Sequence, residues 1–201
     1  METIQSAPEY LKPAELLKVL ANAKARERCM FLLGYGHALR ASEIASLTLD
    51  DVRGGKINCV RGKKSEHTVE EIREHDNALL NERAVLAAWL RERGDGDGSV
   101  FLFTSRQGSR MTRQQVYNLF VKCAELAGID DSRTRPHILK HSYASHLIRN
   151  GADLAYVQKA CGHRHISSTV RYTHVSTSEA QVVSNRILGN VFAVAAIQGG
   201  K

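Results

Sequence analysis

Tyr172, in Arg171-Tyr172-Thr173-His174, closes a stretch from Arg135 to Val175 that also carries His137, Lys140, His141, His146, His163 and His165. A phenol among such groups is equipped to attack phosphorus. Metal-free cleavage of a phosphodiester needs a nucleophile. It also needs cationic donors on the non-bridging oxygens, where charge gathers in the transition state. An acid must protonate the leaving 5′-oxygen. Tyrosine fills the first role if its phenol, with an ordinary pKa of about 10, gives up its proton during attack. Arginine suits the second, because its planar fork reaches two oxygens and stays charged. A covalent phosphotyrosine keeps the bond energy, so strands can be rejoined without ATP.

Candidates for each part are spread along the chain. Arg40 precedes a turn at Ser42, and Lys63 and Lys64 sit in a basic turn. His137, Lys140 and His141 fall at i, i+3 and i+4, which places them on one helix face. Arg106, Arg110 and Arg113 cluster in and before the first turn of a helix, where helix-start amides favour phosphate; the plainer alternative is a basic loop. Arg135 heads the key stretch and adds another DNA-facing cation. Arg40 and Glu43, three apart, fit either a surface ion pair worth little or a functional pair. Taken alone, Tyr172 reads equally as a half-buried helix tyrosine. A zinc site built on His137, His141, His163 and His165 lacks an acidic or cysteine ligand at a recognised spacing, so no metal is expected.

These side chains need a scaffold. The 201 residues allow one large domain or two small ones, and a hydrophobic share of 43% suffices for a core. A net charge of +7 suits a polyanionic partner, although many basic proteins bind nothing specific. No apolar run approaches the roughly 20 residues of a membrane span, and METIQSAPEY lacks a secretory pattern. The expectation is a soluble cytoplasmic protein with no membrane contact. Cys29, Cys59, Cys123 and Cys161 form no CxxC and read as core residues or free thiols.

The elements read as follows. Pro13 opens a first helix, and a second runs from about Ala25 to Leu39, with Gly34 and Gly36 loosening its end or permitting close packing. Ser42 is placed to cap nearby amides. Lys56–Val60 alternates as a strand, and His67–Ile72 returns as its partner around a cationic tip. Helices are expected over Asn77–Arg93, with Leu90 on the buried side, and over Arg113–Ala127, capped by Thr112 and closed by Gly128. Gly94–Gly98 is a loop, and Val100–Phe103 a short buried strand. His137–Arg149 is a helix ended by Asn150-Gly151; Asp153 caps Leu154–Ala160; Ser167 caps a short helix carrying Tyr172. A capping box at Ser176–Glu179 starts a last helix near Ala180–Leu188, followed by an apolar tail.

Several separated motifs, in order, resemble the catalytic domain of tyrosine recombinases, the phage integrase family. They are Ala38-Leu39-Arg40-Ala41-Ser42-Glu43-Ile44, Arg61-Gly62-Lys63-Lys64, Pro136-His137-Ile138-Leu139-Lys140-His141-Ser142, Cys161-Gly162-His163 and Tyr172-Thr173-His174-Val175. The length, with Thr112-Arg113-Gln114-Gln115, looks most like the short inversion recombinases of fimbrial switches. The resemblance implies a mainly α fold with a small antiparallel sheet and no cofactor. It implies an enzyme that breaks and rejoins double-stranded DNA through a 3′-phosphotyrosyl bond, with protomers paired as a dimer or tetramer on DNA. Arg40 would be the first catalytic arginine, Glu43 its acidic support, and Lys63 or Lys64 the general acid. His137 and His163 would be the two histidines, with His141 as a further donor, and Tyr172 the nucleophile.

Two positions depart from the family pattern. Lys140 stands where His-x-x-Arg has arginine; it keeps the charge but loses the fork, a change worth on the order of 2–4 kcal/mol at a transition state. The rival reading is therefore a catalytically weakened DNA-binding protein or regulator. The motifs also begin near Met1, so residues 1–201 are expected to be one catalytic domain without the family's N-terminal core-binding domain. Residues 189–201 are expected to dock either on a neighbouring protomer or in cis.

Overall fold

The computed structural model describes residues 9–62, 65–94 and 98–173. Lys63 and Lys64 lie outside the described residues. So do Asp95–Asp97 of the expected loop, the Ser176–Glu179 capping box, the expected last helix and the 189–201 tail.

Eight helices and one two-stranded sheet are present among the described residues: α1 Pro13–Ala21, α2 Ala25–Gly36, α3 Ala41–Ile44, β1 Lys56–Cys59, β2 Thr68–Glu71, α4 Glu82–Arg93, α5 Arg113–Leu126, α6 His137–Arg149, α7 Leu154–Ala160 and α8 Ser167–Val170. The strands pair antiparallel, Lys56 with Glu71 through to Cys59 with Thr68. The mainly α fold with a small antiparallel sheet is as the sequence predicts.

Helix α2 is the central rod. Cys29, Met30, Phe31, Leu32 and Leu33 are all buried in a core shared with α1, α4, α5 and α6, and Phe31 meets Phe120 of α5 edge to face at 5.2 Å. Both glycines near its end are required by close packing. A Cβ on Gly34 would lie 2.8 Å from Ile44 Cδ1, and one on Gly36 would collide with the Glu82 carboxylate. Helix α2 stops at Gly36, earlier than Leu39, because His37 and Ala38 turn the chain toward Arg40; Ala38 takes a left-handed φ of 50°.

A buried charge cluster joins the sheet to α4. His37, fully buried, lies 3.2 Å from both Glu70 of β2 and Glu82 of α4. Arg73 pairs with both carboxylates and donates to Gly36 O at 2.8 Å. The acidic Glu70 that sits poorly in a strand pattern is thus an internal ion-pair partner. Burial opposes protonation of His37, but the hydrogen bonds to the two carboxylates prevail and hold its pKa above the ordinary value.

Three expectations are corrected. Helix α4 starts at Glu82 rather than Asn77, because Asn81 caps it by accepting from Ala84 N at 2.9 Å; asparagine serves better as a cap than inside a helix. Leu90 is 37% exposed rather than buried. Val100–Phe103 forms no strand: its backbone-to-backbone pairing is limited to a bridge with residues 47–49, through Leu49 N to Val100 O and Leu102 N to Leu47 O. Its burial comes from side chains, Leu102 and Phe103 being fully inside, and from Trp89 Nε1 donating to Leu102 O at 3.0 Å.

Helices α5, α6 and α7 run as their punctuation predicts. Thr112 accepts from Gln115 N and Asp153 from the amides of Ala155 and Tyr156; Gly128 and Gly151 take positive φ beyond α5 and α6.

Candidate active site

Tyr172 does not ride on a helix. Helix α8 is only four residues long, has Ile166 at its cap position, and ends at Val170; Tyr172 lies in the turn beyond, held by its N donating to Thr169 O at 3.0 Å. The ring is placed by packing. It belongs to a second apolar cluster with Ala38, Tyr143, Ala144, Val157, Ala160 and Cys161, distinct from the main core. His163 stacks parallel to the Tyr172 ring with centroids 6.4 Å apart. His141 lies tilted against it, with Nδ1 2.6 Å from the phenol oxygen. His137 meets His141 edge to face at 5.2 Å, as their i, i+4 spacing requires. The Nδ1 of His163 is taken by Thr169 Oγ1 at 2.9 Å.

Burial dominates the electrostatics. It pushes the Tyr172 phenol up to about 12. Burial, helped by His137, Arg171 and Lys140, drives His141 down to about 4. Burial and then Lys140 and Arg40 take His163 to about 3. His137 is lowered by burial, Arg135 and Arg113. Lys140, buried beside Arg61, falls to about 8. Near neutral pH the phenol keeps its proton, His141 and His163 are uncharged, and most Lys140 remains an ammonium.

The opposite wall comes from the first third of the chain. Arg40 is the residue before α3, and Glu43 grips it twice: Oε2 accepts from Arg40 N and Oε1 from Arg40 Nη1, both at 2.8 Å. Glu43 is 5% exposed, so the pair is not a surface ion pair. Ser42 lies inside α3 rather than capping it. Arg40 Nη1 also donates to Ser65 Oγ at 2.8 Å, just past the hairpin tip. Ser65 in turn forms a backbone bridge with His163, and Glu66 N donates to Gly162 O.

Arg61, which reads from sequence as part of a basic turn, is the buried joint between the walls. Its Nη1 donates to Ala38 O and Cys161 O, each at 3.2 Å. Its Nη2 donates to His37 O, Thr68 Oγ1 and Ala160 O at 2.9, 3.0 and 3.3 Å. One guanidinium thus ties the loop leading to Arg40 to the turn leading to His163. Gly162, at φ 60°, is required twice over, since a Cβ there would lie 2.5 Å from Arg61 Cδ and Nε. Lys140 Nζ donates to the same Cys161 carbonyl at 2.6 Å.

Between the walls is a cavity of about 570 Å³. Arg40, Arg113, Arg135, His137, Lys140, His141, His163 and Tyr172 of the sequence candidates line it, and Glu43 stands behind Arg40. The arginine cluster is divided. Arg113 reaches the cavity; Arg106 lines a separate hollow with Arg26, Gln115 and Leu119; Arg110 pairs with Thr104 in an isolated bridge. Sequence reading assigned no role to Arg61, Tyr117 or Arg171, although the last two line the cavity. Adjacency to Tyr172 was the available signal for Arg171; Arg61 had none, because four of its five partners are backbone carbonyls. Among the described residues, five lining side chains are cationic (Arg40, Arg113, Arg135, Lys140, Arg171) and none is a carboxylate.

A chain with this fold and cavity has known counterparts. The family model described as "Phage integrase family" matches residues 9–179. The type 1 fimbriae regulatory protein FimE of Escherichia coli K12 is 36% identical over 154 residues, which is 74% of each chain. Tyrosine recombinase XerD of Proteus mirabilis is 33% identical over 185 residues, covering 91% of this chain and 55% of XerD. Among solved structures, XerA recombinase superposes with a TM-score of 0.72 at 22% identity, over 92% of this chain and 65% of that one. XerH site-specific recombinase bound to its difH substrate gives 0.71 at 23% identity, over 90% and 55%. The chain thus spans little more than half the length of XerD and of the XerH chain.

Proposed function

The chain belongs to the phage integrase family, and on that premise we propose that it is a site-specific DNA recombinase that cuts and rejoins strands through a 3′-phosphotyrosyl bond at Tyr172. The observation that carries the reading is a tyrosine hydroxyl on a cavity edged by five cations and no carboxylate. Such a lining favours a polyanion and, more specifically, the extra negative charge of a phosphoryl-transfer transition state. Arg40, held by Glu43, and Lys140 and His137 on α6 take the non-bridging oxygens, with His163 as a further donor. Lys63 or Lys64, both of which fall between β1 and β2 in sequence, supplies the proton to the leaving 5′-oxygen. Arg113 and Arg135, on the cavity rim, take flanking phosphates of double-stranded DNA, with Arg106 and Arg110 further along the backbone. The solved structures of XerH bound to its difH substrate and of a lambda integrase dimer bound to a COC′ core site support action by paired protomers, as a dimer or tetramer. The protein then works in the cytoplasm at the nucleoid, with 1–201 acting as one catalytic domain.

The test is covalent trapping. Nicked suicide duplexes tiled across the DNA flanking the coding sequence are incubated with the protein and resolved under denaturing conditions. Wild type is expected to form an adduct, and Tyr172→Phe to form none while still retarding the same duplex. A folded wild-type protein that yields no adduct on any tile overturns the assignment.

A further inference from the structure

We propose that His141 is the proton acceptor for Tyr172, a catalytic residue in its own right rather than a donor to the phosphate. This rests on the recombinase reading above. It is carried by one short contact, His141 Nδ1 to Tyr172 Oη at 2.6 Å, and by the engagement of the other candidates. His163 lies parallel to the phenol ring with its centroid 6.4 Å away, and Thr169 holds its Nδ1. Lys140 is mostly an ammonium near neutral pH, with no lone pair to take a proton, and donates to the Cys161 carbonyl. His137 touches His141 rather than the tyrosine. Among the described residues, Tyr172 Oη has His141 as its one hydrogen-bond partner.

The protonation states leave His141 with a lone pair and Tyr172 with a proton to give. The titratable and charged groups facing His141 are His137 and Lys140 of α6, and Arg171 and Tyr172 of the turn after α8. Three of these are cationic or become so on protonation, and together with burial they keep the imidazole neutral. Burial keeps the phenol protonated. We take the tautomer with its hydrogen on Nε2, in which the neutral imidazole accepts at Nδ1 and the phenol donates. That bond uses the phenol proton and leaves the oxygen lone pairs free to meet phosphorus.

The step balances without a cofactor. The Tyr172 Oη–P bond forms as P–O5′ breaks, and the phenol proton moves to His141 Nδ1. The electron pair of the broken bond leaves on O5′, which takes a proton from the general acid. Rejoining runs the same path backward, the imidazolium returning its proton to the departing phenolate. The surrounding cations that disfavour a resting imidazolium are opposed during reaction by the charge of the phosphorane-like transition state. His141 therefore becomes a competent base when phosphate is in place.

His141→Ala and His141→Asn separate proton transfer from positioning, since the asparagine oxygen can accept the phenol hydrogen bond without taking its proton. The readout is the single-turnover rate of adduct formation on the duplex that wild type cleaves, with equal DNA retardation and thermal melts confirming folded protein. Both variants are expected to be slower by roughly 10²–10⁴-fold. Their residual rate should rise with pH from 6 to about 8, below the point where Lys140 loses its charge, as the phenol, with its pKa near 12, comes closer to ionising in bulk base. Added imidazole should restore the alanine variant, and more basic imidazoles should restore it better. The proposal is overturned if either variant stays within about 3-fold of wild type, or if the asparagine variant alone recovers, which would leave positioning as the role. It also falls if imidazoles fail to restore a folded alanine variant that still binds. A wild type that forms no adduct overturns the recombinase reading and this one with it; an active wild type with an equally active alanine variant overturns only this one.

Discussion

The two walls of the cavity are built by different means. The wall that carries Tyr172 is local in sequence: α6, α7 and the turn after α8 follow one another within Arg135–Thr173, with the Asp153 side chain capping α7 and backbone bonds closing the helix ends. The wall that carries Arg40 is made of loops and a hairpin from the first third. Side chains hold it in place: Glu43 on Arg40, Ser65 on Arg40, and Arg61 across to the other wall. A helix positions its residues through bonds it must make anyway. A loop does so only if some side chain is spent on it, and here Arg61 spends five hydrogen bonds. Damage to the two walls should therefore look different.

The sharpest break is Arg61→Ala. It leaves the carbonyls of His37, Ala38, Ala160 and Cys161 without this donor and empties a buried site. The expected stability loss is on the order of 3–5 kcal/mol, or roughly a 10 °C fall in Tm. The walls then drift, and misplacement of about 1 Å costs on the order of 10²-fold in cleavage. Thermal melting and adduct rates check both. If cleavage survives while Tm falls, the walls hold each other without the clamp, and the comparison fails.

Gly162→Ala strikes the same joint from the other side. Left-handed strain costs about 1–2 kcal/mol, and the new Cβ pushes Arg61 aside. Cleavage should fall by on the order of 10-fold or more. Combined with Arg61→Ala, its effect should be much less than additive, because the atoms it collides with are gone. A double-mutant cycle on adduct rate measures this.

Lys140→Arg tests the nucleophile's own wall. With its pKa held near 8 by burial and by Arg61, Lys140 is charged at pH 7 and loses that charge as the pH rises past 8. Wild-type cleavage should therefore decline on the alkaline side. Arginine stays charged, so the variant should keep its rate to pH 10, and its fork should raise the rate at pH 8 as well. A pH–rate profile decides; an unchanged alkaline limb would remove Lys140 from the phosphate cradle.

The smallest expected effect lies beneath the loop wall. The folded pKa of His37 is raised, so its ion pairs contribute fully below about 6.5, the ordinary value, and fade as pH climbs through the folded value. Tm should fall with pH across that window by roughly 2–4 °C per kcal/mol lost. His37→Gln should flatten the slope and leave DNA retardation intact.

The same division governs what could be read from sequence. Pro13, Thr112, Asp153, Asn150-Gly151 and Gly128 are local signals, and α1, α5, α6 and α7 lie where they point. Asn81 misled only because a cap inside an apolar pattern reads as helix interior. Tyr172 was singled out by the histidines and lysine of its own stretch and then by the order of separated motifs, since taken alone it reads equally as a half-buried helix tyrosine. What stayed hidden is tertiary. Glu43 looked like half of a surface pair because burial is not visible in i, i+3 spacing. Arg61 looked like one more turn cation because a guanidinium bonded to carbonyls leaves no mark on the residues that accept it. Arg106 and Arg113 looked like neighbours, but α5 and the loop before it carry them to different hollows.

The cavity without a carboxylate has a last consequence. Like charges confined in one concavity raise the self-energy of the free protein, and the first phosphate to enter relieves it. Folding and DNA binding are then linked: a ligand that binds only the native state deepens its well by RT ln(1 + [L]/Kd). The chain off DNA is expected to be its most short-lived form, opened more often and cleared sooner by proteases. A protein of this design limits its own surplus, persisting where there is DNA to hold and disappearing where there is none.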